Sequence, residues 1–234
     1  MCGRFTLAIS AKQLSEYVMD KYHITDYTIS HDAPKFNVSP GQQIISILHD
    51  QKQYRIGTLK WGFIPSFSKD DVSFQMINAK AETLFEKPAF KASAIHKRCV
   101  ILADSFYEWD KINKKNPPRR ILTTDQKIFS MAGIWNTYVK DDGSKVHTVA
   151  IITTEANEMM SSFHDRMPVI LTKKGEEVWL NPSLKDQKEL EKVLKPYQSD
   201  HMRMYKVSKK VNATSYDFED AIIEVEDDDE DTLF

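Results

Sequence analysis

Short stretches that alternate apolar and polar residues recur along the chain and predict β-strands. β-Branched and aromatic residues, which favour strands, are concentrated in seven segments. These segments are residues 43–49, 54–61, 99–103, 120–124, 128–135, 146–153 and 202–207. Between the fifth and the sixth stands Asp141-Asp142-Gly143-Ser144, a turn sequence that predicts a hairpin.

Helical patterns fill the spaces between these strands. Ser10 is the predicted N-cap of a helix that runs to about Asp20. Further helices are predicted over residues 81–97 (with a break before Pro88), 157–162 and 184–194. Because strands and helices do not alternate regularly, the pattern predicts an α+β fold. We expect a single domain with a mixed, curled or barrel-like β-sheet core and flanking helices.

Composition divides the chain into a basic body and an acidic tail. The 234 residues suit one domain, and 41% of them are hydrophobic, enough for a substantial core. Seven acids between Glu224 and Asp231 account for the net charge of −2, and without them the chain would carry +5. The predicted domain is residues 1–223, followed by a mobile acidic tail over residues 224–234.

The cysteine content and hydropathy predict a cytoplasmic protein, associated with the nucleoid if the source is bacterial. No run of about 18 apolar residues predicts a membrane span, and no apolar leader stands at the N-terminus. Cys99 lies within a predicted core strand and is expected to be an inert, buried thiol. No metal-ligand spacing, phosphate-binding loop or dinucleotide fingerprint occurs, so we expect neither metal nor cofactor, and a monomer.

Cys2 is the first candidate for chemistry. A residue this small after Met1 normally permits removal of the methionine, which leaves a free α-amine and a thiol on adjacent carbons. The amine can form a Schiff base with an aldehyde, and the thiol can then close a five-membered thiazolidine ring. Reference pKa values of about 8 for the amine and about 8.5 for the thiol leave both partly reactive near neutral pH. The alternative is that Cys2 follows Met1 without any function.

Eight sequence blocks give Cys2 a context. In chain order they are MCGRF (1–5), FNVSPGQ (36–42), WGFIPS (61–66), INAKAET (77–83), RCVILADSFYEW (98–109), MAGIW (131–135), TTEAN (153–157) and HDRMP (164–168). This series closely resembles the SOS response-associated peptidase (SRAP) family of abasic-site processing proteins, and it covers about residues 2–208. The resemblance implies a pseudo-symmetric mixed β fold with a positively charged groove for single-stranded DNA. It also implies a covalent thiazolidine crosslink between Cys2 and the aldehyde of an abasic site.

Three further polar residues fall within matching blocks, and the resemblance implies that they serve catalysis. Glu108 is flanked by aromatic residues, so partial desolvation is expected to raise its pKa towards neutrality and to suit it to proton transfer. His164 is expected to titrate near neutral pH and to promote opening of the sugar ring. Asn78 is expected to orient the Cys2 amine or the sugar. The alternatives are a structural carboxylate for Glu108, a solvated loop histidine for His164 and a helix N-cap for Asn78.

The resemblance also indicates which residues contact DNA. Arg4, Lys80 and Arg166 are the predicted phosphate contacts, although the family usually has Arg where this chain has Lys80. Phe67 stands where relatives commonly carry Trp, and either Phe67 or Trp61 could stack on a base. Core packing is the alternative for both rings.

Two other functions remain open on the sequence alone. Met-Cys-Gly also opens N-terminal-nucleophile amidotransferases, in which the Cys2 thiol attacks an amide and the α-amine acts as base. A related thiol autopeptidase activity would remove Met1. A noncovalent single-strand-binding module is the third possibility. The favoured prediction is an abasic-site-reactive enzyme with Schiff-base and lyase-type chemistry.

Overall fold

The computed structural model describes residues 2–27, 33–68, 76–113 and 115–226. Thirteen strands are assigned within these ranges. They are β1 (Phe5–Leu7), β2 (Lys35–Val38), β3 (Gln43–His49), β4 (Tyr54–Trp61), β5 (Asn78–Lys80), β6 (Arg98–Ala103), β7 (Ser105–Glu108), β8 (Arg119–Thr123), β9 (Phe129–Val139), β10 (Lys145–Glu155), β11 (Arg166–Pro168), β12 (Ile170–Leu171) and β13 (Met202–Lys206).

Five α-helices accompany the strands in the described part of the chain. They are α1 (Ala11–Tyr22), α2 (Pro88–His96), α3 (Glu158–Ser161), α4 (Lys173–Leu180) and α5 (Gln187–Glu191). Short 3-10 helices occupy Ala81–Thr83, Ser199–His201, Lys209–Asn212 and Glu219–Ile222. No described helix is both long enough and apolar enough to cross a membrane.

The larger of two sheets closes on itself. In this barrel sheet the strand order is β11-β10-β4-β3-β6-β9-β12, and β9 also pairs with β10, so that β10, β4, β3, β6 and β9 form a closed ring. Closure brings strands close together at Gly133, where an added Cβ would lie 2.4 Å from the Ile101 side chain and 3.3 Å from the Ala150 carbonyl oxygen. The predicted Asp141–Ser144 turn joins β9 and β10, and Gly143 adopts there the positive φ of 79° that favours glycine.

The smaller, side sheet is antiparallel, with the strand order β13-β8-β7-β1-β2. Neighbouring residues of the barrel strands point to opposite faces, as the two-residue strand period requires. One face packs against α1, α2 and α4 through residues such as Ile47, Val100 and Ile134. The opposite face carries Ile101 and Met131 and packs against the side sheet. The predicted α+β fold with a barrel-like mixed sheet and flanking helices is confirmed.

Two predicted boundaries differ from the structure. The predicted helix over residues 184–194 is only α5, which begins after its N-cap Asp186. The acidic tail does not begin at Glu224, because Glu224 pairs with Arg203 at 2.7 Å and the Val225 N–H donates to the Lys206 carbonyl. Residues 227–234 of the predicted tail lie outside the described residues, as does Met1.

Candidate active site

The antiparallel pairing of β1 with β7 brings Cys2 to Glu108. Phe5 lies opposite Phe106, and the Tyr107 N–H donates to the Arg4 carbonyl at 3.0 Å, which places the start of β1 beside the end of β7. Both Cys2 and the Glu108 side chain are almost completely buried. The two residues are about one hundred positions apart in sequence, so strand pairing alone creates their proximity.

The barrel sheet contributes the other two predicted residues. Asn78 begins β5, which runs parallel to β10, and its Nδ2 donates to the Cys2 carbonyl at 2.9 Å. His164 lies between α3 and β11, and its Nε2 is 3.4 Å from Glu108 Oε2. The structure therefore brings Cys2, Asn78, Glu108 and His164 together where the two sheets meet. Among the described residues, no group of three or more His, Cys, Asp and Glu side chains is arranged to hold a metal ion.

Burial sets the electrostatics of this cluster. It raises the pKa of Glu108 to about 7, as expected from its aromatic neighbours. Burial also raises the pKa of the Cys2 thiol well above its usual range, and the charge of Glu108 raises it further. In the chain that carries Met1 the thiol is therefore protonated at neutral pH and needs a proton acceptor. The expectation of a partly ionised thiol concerned the chain without Met1 and stays a prediction. Glu108 is the nearby group that titrates in the right range.

His164 differs from the expected proton donor. Its side chain is 4% exposed, so the alternative of a solvated loop histidine is wrong. Burial lowers the pKa of His164 to about 4, which makes the ring neutral at pH 7 and contradicts the expected titration near neutrality. Its Nδ1 lies 3.1 Å from the backbone nitrogen of Arg166 and 2.9 Å from the carbonyl oxygen of the same residue. These contacts fix the ring orientation with Nε2 towards Glu108.

Asn78 has an unused acceptor. Its Oδ1 is buried and has no hydrogen-bond partner among the described residues, while its Nδ2 is bound to Cys2. Asn78 belongs to a strand, so the helix N-cap alternative is wrong. A buried amide oxygen without a donor is costly, so Asn78 Oδ1 is available to a further hydrogen-bond donor.

Of the predicted phosphate contacts, two already have protein partners. Arg166 binds Glu82 through both Nη atoms at 2.7 and 2.9 Å, and its Nη2 also donates to the Thr153 carbonyl. Arg4 donates to Asn37 and to backbone carbonyls near the C-terminus, which leaves Nε and one hydrogen of Nη2 for another acceptor. Lys80 is exposed.

The two aromatic candidates have different environments. Phe67 is 66% exposed, so its ring is accessible to a base. Trp61 is fully buried, packs on Phe5 with ring centroids 5.3 Å apart and donates its indole N–H to the Ile77 carbonyl at 2.9 Å. The prediction that Trp61 stacks on DNA was wrong, because every face of its ring is covered by the core. Cys99 is buried in β6, as predicted.

One residue contacting this site was missed from the sequence. Asn37 is 1% exposed on β2 and accepts a hydrogen bond from Arg4, two residues from Cys2. Its block FNVSPGQ was among the matching motifs, and a polar residue between the apolar Phe36 and Val38 was the available signal.

A buried cysteine near the N-terminus, beside a carboxylate with a raised pKa and an oriented histidine, defines a site for nucleophilic and acid–base chemistry. The family model for SOS response associated peptidase (SRAP) matches residues 1–214, so the chain belongs to the SRAP family, as its sequence blocks predict. The chain is 42% identical to abasic site processing protein YoqW of Bacillus subtilis over 91% of this chain and 95% of that protein. It is 28% identical to abasic site processing protein HMCES of Gallus gallus over 82% of this chain and 67% of that protein.

A solved structure supports the fold. The chain superposes on a crystal structure of a Bacteroides thetaiotaomicron protein with a TM-score of 0.78 and 27% sequence identity, covering 89% of this chain and 93% of the other. The barrel and side sheets are therefore the SRAP fold.

Proposed function

We propose that this protein, once Met1 is removed, captures abasic sites in single-stranded DNA by forming a thiazolidine between Cys2 and the sugar aldehyde. The observation that carries the proposal is the cluster of Cys2, Glu108, His164 and Asn78 at the junction of the two sheets. The names of the SRAP relatives, abasic site processing proteins, supply the substrate class. Capture would shield the lesion during the response to DNA damage.

The chemistry needs proton transfer at each step. The α-amine of Cys2 attacks the aldehyde carbon to give a carbinolamine, which loses water to form a Schiff base. The thiol then adds to the same carbon, its proton passes to the nitrogen, and the ring closes, so that one water is released in total. Glu108, with a pKa raised by burial to about 7, can accept the proton of the ammonium group and return it to the departing hydroxyl.

The neighbouring groups orient the reactants in this scheme. Asn78 holds the Cys2 carbonyl through Nδ2 and offers its unused Oδ1 to the freed amine. Neutral His164, held by the Arg166 backbone, hydrogen-bonds the sugar oxygen during ring opening rather than delivering a full charge. The Schiff base also allows β-elimination of the DNA strand, so lyase-type chemistry accompanies the proposal.

DNA binding involves charges around this cluster. We propose that Lys80, Arg166 and the free hydrogens of Arg4 contact phosphates and that exposed Phe67 stacks on a base near the lesion. Complete burial of Cys2 favours an unpaired substrate, because a sugar within a duplex is held away by its base pair and by the second strand.

Amide chemistry at Cys2 is the second candidate. The site that suits aldehyde capture also places a carboxylate beside a thiol that needs deprotonation, and the same pair could cleave the bond after Met1. This self-removal would generate the amine that crosslinking requires.

Crosslinking predicts a product that survives denaturation. Protein with Met1 removed, confirmed by mass spectrometry, is mixed with a single-stranded oligonucleotide that carries one abasic site. We expect a shifted band on a denaturing gel that requires the lesion and is absent for Cys2→Ser, since an alcohol does not close the ring under these conditions. Cys99→Ser is the matched control and should crosslink normally. Absence of the band for the wild-type protein would reject aldehyde capture and favour amide chemistry.

The Glu82–Arg166 pair predicts a variant that binds DNA more tightly. Glu82→Gln removes the charge that neutralises the Arg166 guanidinium in the wild-type protein. The guanidinium can then bind a DNA phosphate more strongly. We expect affinity for undamaged single-stranded DNA to rise about three- to tenfold, and the slope of log affinity against log salt to steepen by about 0.7. Fluorescence anisotropy at several salt concentrations measures both.

The matched control is Glu86→Gln, which removes the same charge from an exposed residue of the same segment. Equal tightening by both variants would mean that only net charge matters, and the proposed phosphate contact of Arg166 would be withdrawn.

A further inference from the structure

Residues 208–225 form a segment, here called the C-terminal strap, that packs on Phe36, Tyr107 and Tyr205 and so lies across one face of the side sheet. Val211 and Ala221 of the strap are fully buried and form a small apolar cluster with Tyr107. The match to the SRAP family model ends at residue 214, within the strap. The strap therefore includes a part of this chain to which the family match gives no role.

Asn37 on β2 connects the strap to the strand that follows Cys2. Its Oδ1 accepts from Arg4 Nη1 at 2.9 Å. Its Nδ2 lies 3.1, 3.0 and 2.8 Å from three carbonyl oxygens of the strap, those of Val211, Ala213 and Tyr216, which share its two hydrogens. A buried amide with all these partners has a single favourable orientation, so it fixes the strap relative to β1.

The strap also holds both neighbours of Glu108. The Trp109 indole N–H donates to Asn212 Oδ1 at 2.7 Å. The Tyr107 ring packs on Val211 and Ala221, and its hydroxyl lies 3.3 Å from the Ala221 carbonyl and 2.8 Å from the Phe36 carbonyl of β2. The Asn212 carbonyl accepts from Arg4 Nη2 at 3.1 Å. One strap residue thus bridges the start of β1 and the end of β7, the two segments that carry the reacting cysteine and the carboxylate.

We propose that Asn37 is a positioning residue that, through Arg4 and the C-terminal strap, sets the separation of Cys2 from Glu108 and keeps water out of the gap. The inference rests on the proposed function, because one of its tests measures the rate of crosslinking to DNA. Neither Asn37 nor the strap touches the reacting atoms in this arrangement. Their loss therefore slows the covalent step, while the proposed DNA contacts of Lys80, Arg166 and Phe67, which do not involve the strap, stay in place.

The first test is Asn37→Asp, which keeps the shape and the acceptor for Arg4 but loses the donors to the strap carbonyls. We expect the crosslinking rate at saturating DNA to fall at least about tenfold, because small displacements of reacting groups cost rate steeply. The dissociation constant for undamaged DNA should change much less than the rate, because Arg4 is the single proposed phosphate contact beside the substitution. Water reaching Glu108 should also move the midpoint of the rate against pH to lower pH. A role in overall stability alone would not move that midpoint.

Asn212→Ala provides a second variant that does not depend on a buried substitution, since Asn212 is exposed. It removes only the bond to Trp109, so we expect a rate decrease of about threefold with the same direction of pH shift. Thr214→Ala, an exposed change within the strap, is the control and should match the wild type.

Alkylation of Cys2 by iodoacetamide, followed by peptide mass spectrometry, tests positioning without DNA. Both variants should be alkylated faster than the wild type at pH 7, with buried Cys99 as the internal reference. Wild-type alkylation rates in folded Asn212→Ala and Asn37→Asp would overturn the inference, even if aldehyde capture holds. If the wild type forms no crosslink but the variants alkylate faster, the proposed function fails while the positioning role stands. If Asn37→Asp does not fold, Asn212→Ala decides.

Discussion

Replacement of Glu108 by Gln is expected to slow crosslink formation by about 10²–10⁴-fold, the usual cost of losing a positioned acid–base group. Gln keeps the size and hydrogen-bonding capacity of the side chain, so the fold and the pairing of β1 with β7 should persist. What is lost is the group that, among the described residues of the site, has a pKa of about 7 and can both take and return a proton at neutral pH. Neutral His164, with a pKa lowered by burial, cannot replace it.

The same variant should change the dependence of stability on pH. The folded-state pKa of Glu108 is raised from an ordinary value of 4.5 to about 7, so the native state holds a proton that the unfolded state has released between these values. The free energy of unfolding of the wild type therefore falls, relative to Glu108→Gln, as pH rises from about 4.5 to 7. The full difference amounts to about 3 kcal/mol, from 1.36 kcal/mol per pKa unit.

Single-turnover crosslinking kinetics and urea unfolding between pH 4.5 and 8 measure these two effects on one pair of proteins. Glu155→Gln, an exposed carboxylate in β10, is the control for both. A Gln variant that crosslinks at the wild-type rate would remove Glu108 from the mechanism. Unchanged kinetics together with a changed pH dependence of stability would make it a buried structural carboxylate.

Much of the fold could be predicted from local sequence because local interactions determine those elements. Ser10 and Gln13 form the reciprocal capping box that begins α1, and β3 and β4 have the predicted bounds. Helix α4 was missed, since Gly175 near its start disfavours helix. The structure shows why glycine stands there: an added Cβ would lie 3.2 Å from Thr172 Oγ1, the oxygen that caps the helix.

The elements that build the candidate site carry little local signal. β1, β5, β7 and β11 have only three or four residues each, too few to show a period, and their partners are distant in sequence. The proximity of Cys2 and Glu108 was predicted from the resemblance to a family and not from any pattern. The burial of individual side chains could be predicted even less well from the sequence. Whether Trp61 faces solvent or the core depends on how the two sheets pack, and the protonation state of His164 depends on the same packing. The role of Asn37 depends on its contacts with the strap, and the short 3-10 turns of the strap have no periodicity from which the sequence could predict them.

The largest effect on stability is expected at Arg98, the first residue of β6. Its side chain is buried, no carboxylate of the described residues pairs with it, and all five N–H groups donate to backbone carbonyls. Nε donates to Trp179, Nη1 to Ala94 and Ile95, and Nη2 to Asn181 and Leu184. These acceptors lie at or just beyond the ends of α2 and α4, where helix carbonyls lack partners and the helix dipole favours a cation.

Arg98→Met should lower the free energy of unfolding by about 4 kcal/mol, because it fills the volume but leaves these carbonyls buried and unsatisfied. Arg98→Lys should cost about 2 kcal/mol, since an ammonium group has three donors and cannot span both helices. Urea unfolding at neutral pH measures both free energies. The guanidinium remains charged there, although desolvation lowers the pKa of Arg98 to about 10.

Arg55→Met, which breaks a half-exposed ion pair with Asp50, is the control and should cost less than about 1 kcal/mol. A cost for Arg98→Met no larger than this control would show that water satisfies the helix ends. In that case, the packing of α2 and α4 on the barrel would rest on apolar contacts alone.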